Sequence, residues 1–175
     1  MDHVVIDAGL CLLRPWEERD VEPLVEIADD YEVARYLRDR FPHPYTIDDA
    51  QAWVAFNLSD SAPELHYAIE VDGELAGSIG VERYEGERRG TMHIGYWLGR
   101  RFHGRGIATA AVRALTEYIF ANTETRRIEA EVYLPNKASV LVLERCGYLR
   151  EGLMRSAIIK GSDVYDAYLY ARIRE

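Results

Sequence analysis

Apolar residues recur along this chain in two rhythms, alternating and helical, separated by short polar or glycine-bearing segments. A run at 10–14 (LCLLR), ended by Pro15, reads as a strand. From 18 to 28, Val21, Leu24, Val25, Ile27 and Ala28 fall at helical spacing, and a second short helical piece follows at 33–37. Phe41, Pro42, His43, Pro44 and Tyr45 form a loop, because the two prolines cannot continue a helix. Thr46 and Asp49 have the form of a capping box that opens a helix to about 58, with Ala50, Trp53, Val54 and Leu58 inward. Residues 66–71 and 75–84 read as a hairpin about Asp72 and Gly73, with Gly77 and Gly80 marking a bulge or a close approach of two backbones. A polar turn at 85–90 leads to a strand at 91–98, a helix from 107 to about 121 and an alternating strand at 127–133. Asn136 caps a helix that stops at Gly147, and strands at 148–156 and 164–174 close the chain. Strands and helices alternate through the centre, which predicts a mixed α/β domain.

Residues 94–112 (IGYWLGRRFHGRGIATAAV) organise the rest. They read as a buried strand, a basic loop with Gly99, Gly104 and Gly106, and a helix from Ile107. Glycine tolerates positive φ and carries no Cβ, so backbone N–H groups can converge on a ligand. The free N–H groups of a helix's first turn face the same point, which makes an anion site suited to phosphate. A Walker loop is excluded, because Ile107 and Ala108 follow Gly106 where Lys and Ser/Thr are needed. The dinucleotide fingerprint is excluded by its spacing. The spacing that fits is Arg-x-x-Gly-x-Gly, as Arg101, Gly104 and Gly106.

Residues 136–148 (NKASVLVLERCGY) are by themselves an N-capped amphipathic helix with a glycine stop. Their place matters more: they follow the glycine loop, its helix and a strand by about thirty residues. That order resembles the GNAT superfamily of acetyl-CoA-dependent N-acetyltransferases over nearly the whole chain. Gly95-Tyr96-Trp97-Leu98 before the loop, and Asn136, Ser139, Leu143, Glu144, Gly147 and Tyr148 after it, are similar to its ribosomal-protein N-terminal (Rim-type) branch. The ending at Asp166, Ala167, Tyr168, Leu169 and Tyr170 fits that branch's final strand.

The resemblance implies an α/β (α+β) fold, a twisted, mixed but mostly antiparallel sheet flanked by helices, whose two central strands splay apart to admit acetyl-CoA. The backbone of Tyr96, Trp97 and Leu98 would pair with the pantetheine amides as an added strand does. Amides of Phe102, His103, Gly104, Arg105, Gly106, Ile107 and Ala108 would hold the pyrophosphate, with a hydroxyl from Thr109 and charge from Arg101 and Arg105. Asn136 would face the pantetheine arm and Ser139 the sulfur.

Many GNAT enzymes carry a tyrosine general acid seven residues after this asparagine; here that position is Leu143. Ser139 is the expected replacement, hydrogen-bonding the leaving thiolate directly or through water, while a role in supporting the helix cap is the simpler alternative. Glu82, His93 and Glu131 are the candidate bases for the amine, with a water chain or an amine that arrives neutral as alternatives. The acceptor is expected against the N-terminal helices and the 41–45 loop, where Tyr31, Tyr36, Trp53, Tyr84 and Tyr165 would line it and Asp30, Asp39 and Glu82 would attract a cation.

Composition narrows the picture. At 175 residues the chain has the length of one domain, 1–175, with 48% hydrophobic and 29% charged residues. A net charge of −9 argues against nucleic acid and suits a cationic partner such as an amine. Cys11 and Cys146 stand far apart, with no CxxC and no histidine cluster, so neither a disulfide framework nor a metal site is expected. The N-terminal residues lack the pattern of a secretory leader, and no run of ~18 apolar residues spans a membrane, so a cytoplasmic location is expected. A homodimer through aromatic strand or helix surfaces is compatible with the sequence, which does not determine it.

The expected function is acetyl transfer from acetyl-CoA to a primary amine, either a protein or peptide N-terminus or a small amine, by direct attack on the thioester. The alternative is a non-catalytic acyl-CoA-binding regulatory domain that keeps the loop.

Overall fold

The strands are β1 (Ile6–Asp7), β2 (Leu12–Arg14), β3 (Leu65–Val71), β4 (Glu74–Arg83), β5 (Thr91–Leu98), β6 (Arg127–Tyr133), β7 (Leu149–Lys160) and β8 (Asp163–Ile173). The helices are α1 (Val21–Ala28), α2 (Tyr31–Ala34), α3 (Ile47–Leu58), α4 (Ile107–Asn122) and α5 (Lys137–Arg145). The computed structural model describes residues 4–59 and 65–175. The strands form one sheet in the order β1-β2-β3-β4-β5-β6-β8-β7, and every neighbouring pair is antiparallel except β5 and β6. This is the mixed, mostly antiparallel α/β sheet that the motifs imply.

Apolar side chains hold the layers together. α4 buries Ile107, Ala111, Val112, Leu115 and Ile119, a stripe of residues three and four apart. It packs on α5 and β5, while α1 packs on α3 and β4. Leu13, Leu24, Ile69, Ile79, Ile94, Leu115, Ile119, Ile128 and Leu143 are fully buried in one continuous cluster. Each such side chain contributes about 1.5–3 kcal/mol of transfer free energy. The buried hydroxyls of Tyr148 and Thr116 satisfy each other at 2.7 Å.

Several boundaries differ from expectation. The first strand is two, because Gly9 turns the chain at φ +78° and leaves Leu10 outside. The second helical piece lies earlier, at Tyr31–Ala34, because Asp30 caps it by accepting from the Glu32 N–H at 2.9 Å. Of the four residues expected inward on α3, Ala50 and Val54 are buried, Trp53 only partly so, and Leu58 is exposed at the helix end. β7 runs on past 156 to Lys160; Ser156 adopts φ +49°, and its N–H donates to Asp166 at 2.7 Å across the irregularity.

Gly77 and Gly80 behave as expected of close approaches. A Cβ on Gly77 would lie 2.1 Å from the Trp97 carbonyl oxygen, and one on Gly80 would lie 2.1 Å from the His66 ring. The irregular register beside Gly77, between Ile69 and Glu70, supplies the expected bulge.

The decisive feature is the parallel pair. β5 and β6 pair only through Thr91, Met92 and His93 with Arg127, Ile128 and Glu129. Beyond that, β5 keeps its partner β4 as far as Leu98, and β6 keeps β8 as far as Tyr133. The two strands therefore splay, and their facing edges run without a strand partner over 94–98 and 130–133.

Candidate active site

Below the splay, the strand enters the glycine loop. The Gly99 N–H donates to Ala76 at 2.9 Å, and a Cβ here would press on Ile27 at 2.8 Å. Phe102 anchors the following turn in the core, and the His103 ring bonds the Leu98 carbonyl at 2.8 Å. Gly104 and Gly106 have φ of +72° and +78°, the left-handed region where a side chain is strained. Gly106 is the N-cap of α4 and offers no side chain to its first-turn amides. Those amides carry the positive end of a sixteen-residue helix. Phe102 and Ile107 point their side chains inward, so the backbone is what this loop offers a ligand.

The basic side chains of the loop stand differently. Arg101 pairs with Glu74 at 3.1 Å and lies over the Phe102 ring at 4.8 Å, largely exposed. Arg105 is 5.7 Å from the same ring centroid. Thr109 sits in the first helical turn, partly buried, and its carbonyl accepts from the Cys146 thiol at 3.3 Å.

A cleft of about 640 Å³ passes through the splay. Strand side chains alternate between faces, so His93, Gly95 and Trp97 face one way, while Ile94, Tyr96 and Leu98 face the other. On the Tyr96 face stands α5. Asn136 caps it, accepting from the Ser139 N–H at 3.2 Å. The Tyr96 hydroxyl lies 2.8 Å from Ser139 Oγ. Leu143 is wholly buried, a core residue and not a cleft residue.

On the His93 face, Glu82 pairs with His93 across β4 and β5, as Gly80 does with Gly95. Arg38 donates to Glu82 at 2.8 Å, and its other nitrogen lies 3.2 and 3.3 Å from the two nitrogens of the His93 ring. Arg40 also binds Glu82. The guanidinium nitrogen is nearly equidistant from the two ring nitrogens, and its positive charge beside the ring favours the neutral imidazole. Burial pushes the His93 pKa down to about 4, and the Arg38 charge pushes the same way. Glu131 lines the cleft from β6, and its side chain is exposed.

Aromatic rings wall this side. Phe41 meets Trp97 edge-on at 5.1 Å and Tyr45 at 5.0 Å, and Trp53 lies 5.0 Å from His66. Opposite, Tyr133 stands between Tyr36 at 5.8 Å and Tyr165 at 5.6 Å. Of the residues expected to line the acceptor, Tyr36 and Trp53 border the cleft. Tyr31 stacks on His43 outside it, and Tyr84 lies under Arg88. Asp30 is engaged by Arg100 at 2.8 Å. Sequence reasoning missed Arg38, Arg40 and the Tyr96 hydroxyl; the two arginines of the RDR run at 38–40 were the available signal.

Among the described residues, no three His, Cys, Asp or Glu gather as metal ligands, and no helix is long and apolar enough to cross a membrane.

Known proteins share this architecture. Residues 11–149 match the family model described as an acetyltransferase (GNAT) domain. The N-acetyltransferase YnaD of Bacillus subtilis is 30% identical over 94% of both chains. The crystal structure of a GNAT-family acetyltransferase from Bacillus anthracis superposes with a TM-score of 0.86 at 28% identity, covering 98% of this chain and 99% of that one. RimL, a ribosomal L7/L12 alpha-N-protein acetyltransferase solved with coenzyme A, gives 0.85 at 26% identity over 97% and 98%. With the splayed parallel pair, the glycine loop and these relatives together, the chain belongs to the GNAT acetyltransferase family and is an N-acetyltransferase of its Rim-like kind.

Proposed function

We propose that the enzyme acetylates an α-amine, in the first instance the N-terminus of a polypeptide, by direct attack on the thioester of acetyl-CoA. The acetyl group comes from acetyl-CoA, as throughout this family. The observation that carries the choice of amine is the state of Glu82 and His93, two of the three candidate bases; the third, Glu131, is exposed to water on β6. His93 is neutral with its pKa pushed down to about 4, and Glu82 already serves two guanidinium groups. Neither is suited to take a proton from a lysine or polyamine ammonium, whose pKa is ~10.4. An α-amine, at ~8, is already partly neutral near pH 7 and needs only to be held in line. Similarity to RimL makes a polypeptide terminus the first acceptor to test.

In this reading the unpaired edge of Tyr96, Trp97 and Leu98 aligns the pantetheine arm, with Asn136 beside it. The amides of Phe102 to Ala108, with the Thr109 hydroxyl, hold the pyrophosphate. Arg101 and Arg105 contribute through long-range charge, since Arg101 is engaged by Glu74. Glu82 and His93 receive the amine through hydrogen bonds on their face of the sheet. The nitrogen attacks the carbonyl carbon, its proton leaves to water, and the C–S electron pair goes to sulfur. Strand N–H groups at the splay stabilise the oxyanion. Ser139, on the other face, donates a hydrogen bond to the departing thiolate. The free thiols of Cys11 and Cys146 agree with a cytoplasmic setting. The relatives described above are named acetyltransferases, which supports an enzyme over the non-catalytic alternative.

The test is coenzyme A release from acetyl-CoA with peptides, free amino acids, polyamines and lysine derivatives. Turnover with peptides bearing free N-termini, lost on blocking the α-amine, is expected. Preferred turnover of polyamines or lysine side chains would overturn the reading.

A further inference from the structure

Ser139 has a partner that its own helix does not supply. The Tyr96 hydroxyl approaches Ser139 Oγ to 2.8 Å, and the next polar atom, the Ser139 carbonyl oxygen, lies at 3.3 Å. The phenol is enclosed between β5 and α5, and burial pushes its pKa up, so it stays neutral with one proton to give. The Ser139 N–H is already taken by Asn136. A serine in the first turn of a helix can turn its hydroxyl back to a backbone carbonyl, where its proton is lost to other uses.

We infer that Tyr96 is a positioning residue: its phenol donates to Ser139 Oγ and so aims the serine's own proton into the cleft, at the sulfur of the leaving thiolate. The inference rests on the reading of Ser139 at that sulfur. When the C–S bond breaks, the electron pair passes to sulfur and the amine's proton goes to water. An aliphatic hydroxyl is a far weaker acid than a thiol, whose pKa is ~8.5, so Ser139 keeps its proton and stabilises the thiolate by a hydrogen bond. Tyr96 likewise keeps its proton, since a phenolate would be buried without a cation. No proton leaves the pair. Geometry is what the tyrosine provides, and this assigns work to its side chain beyond the backbone pairing of its strand.

A double-mutant cycle tests this. Hydrogen bonds to charged groups are the stronger ones, so Ser139→Ala should lower kcat by roughly 10- to 100-fold. Tyr96→Phe should lower it by about 10-fold, with KM for acetyl-CoA within about twofold of wild type. The double variant should be no slower than Ser139→Ala alone, because Tyr96 then has nothing left to aim. Multiplying losses, or wild-type kcat in Tyr96→Phe, would overturn the inference while leaving the role of Ser139 intact. Wild-type kcat in Ser139→Ala would overturn both. Ser139→Thr keeps a hydroxyl for Tyr96 to hold and should retain most of the rate; a loss equal to that of Ser139→Ala would count against the inference even if Tyr96→Phe folds poorly.

Discussion

Arg38 joins His93 to Glu82. The two side chains oppose each other across β4 and β5, and the one guanidinium donates to the carboxylate at 2.8 Å while lying 3.2 Å from the imidazole. Burial, with the Arg38 charge adding to it, keeps the histidine neutral and makes the proposed acceptor side of the cleft a hydrogen-bonding surface instead of a strong base.

A pH–rate profile should therefore follow the acceptor. With a peptide α-amine, kcat/KM should rise through about pH 8 and show no enzyme-derived limb between 5 and 7. His93→Gln should leave the shape unchanged while altering the acceptor's KM. An acidic limb that vanishes in this variant would make His93 the base.

Stability should report the same histidine. Its folded pKa of about 4 lies below the ordinary value near 6.5. Between those limits the unfolded chain binds the proton and the native protein does not, so stability falls as pH drops from about 6.5 towards 4. The loss is up to about 3 kcal/mol. Denaturant unfolding at several pH values, with wild type against His93→Gln, measures this contribution.

Removing the cation should move the histidine. In Arg38→Gln the His93 pKa should rise but stay below 6.5, because burial is the larger cause and remains. NMR titration of the ring reads this directly. The acceptor's KM should rise about tenfold with acetyl-CoA affinity unchanged, since Arg38 stands on the face proposed to receive the amine.

The glycines divide by what surrounds them. Gly77→Ala would place a Cβ against the Trp97 carbonyl and should cost at least about 2 kcal/mol in thermal or denaturant unfolding. Gly95 faces open cleft, with nothing within 4 Å of an added Cβ. Gly95→Ala should fold like wild type and show its effect in the acceptor's KM.

The loop should fail through its backbone. Gly104→Asp brings a carboxylate and a strained φ to the proposed pyrophosphate cradle, and Gly106→Val blocks the approach to the first-turn amides. Calorimetry should show acetyl-CoA affinity lowered by more than about tenfold in each. Unchanged affinity in both would remove the loop from the cofactor site.

Much of the glycine loop and of the helices beside it was legible along the chain because their determinants are local. Positive φ at Gly104 and Gly106, a glycine N-cap on α4 and the Asn136 cap on α5 each act within a few residues of themselves. Strand, loop and helix follow from propensity and capping wherever the segment lies. Arg101 was legible as a motif position, but its ion pair with Glu74 required knowing that β4 begins beside the loop.

The long-range contacts on the two faces of the cleft were not legible in this way. Arg38 meets His93 across 55 residues, and Tyr96 meets Ser139 across 43. The alternation on β5 determines that His93 and Tyr96 take opposite faces, and that much is sequence. Which face meets the α1–α3 side, which meets α5, and where the pairing of β5 with β6 stops after His93 are decided only when β6 returns parallel to β5 through α4. Local chemistry determined the glycine loop and the helix starts around it; sheet register and the packing of distant helices decided which side chains share the cleft.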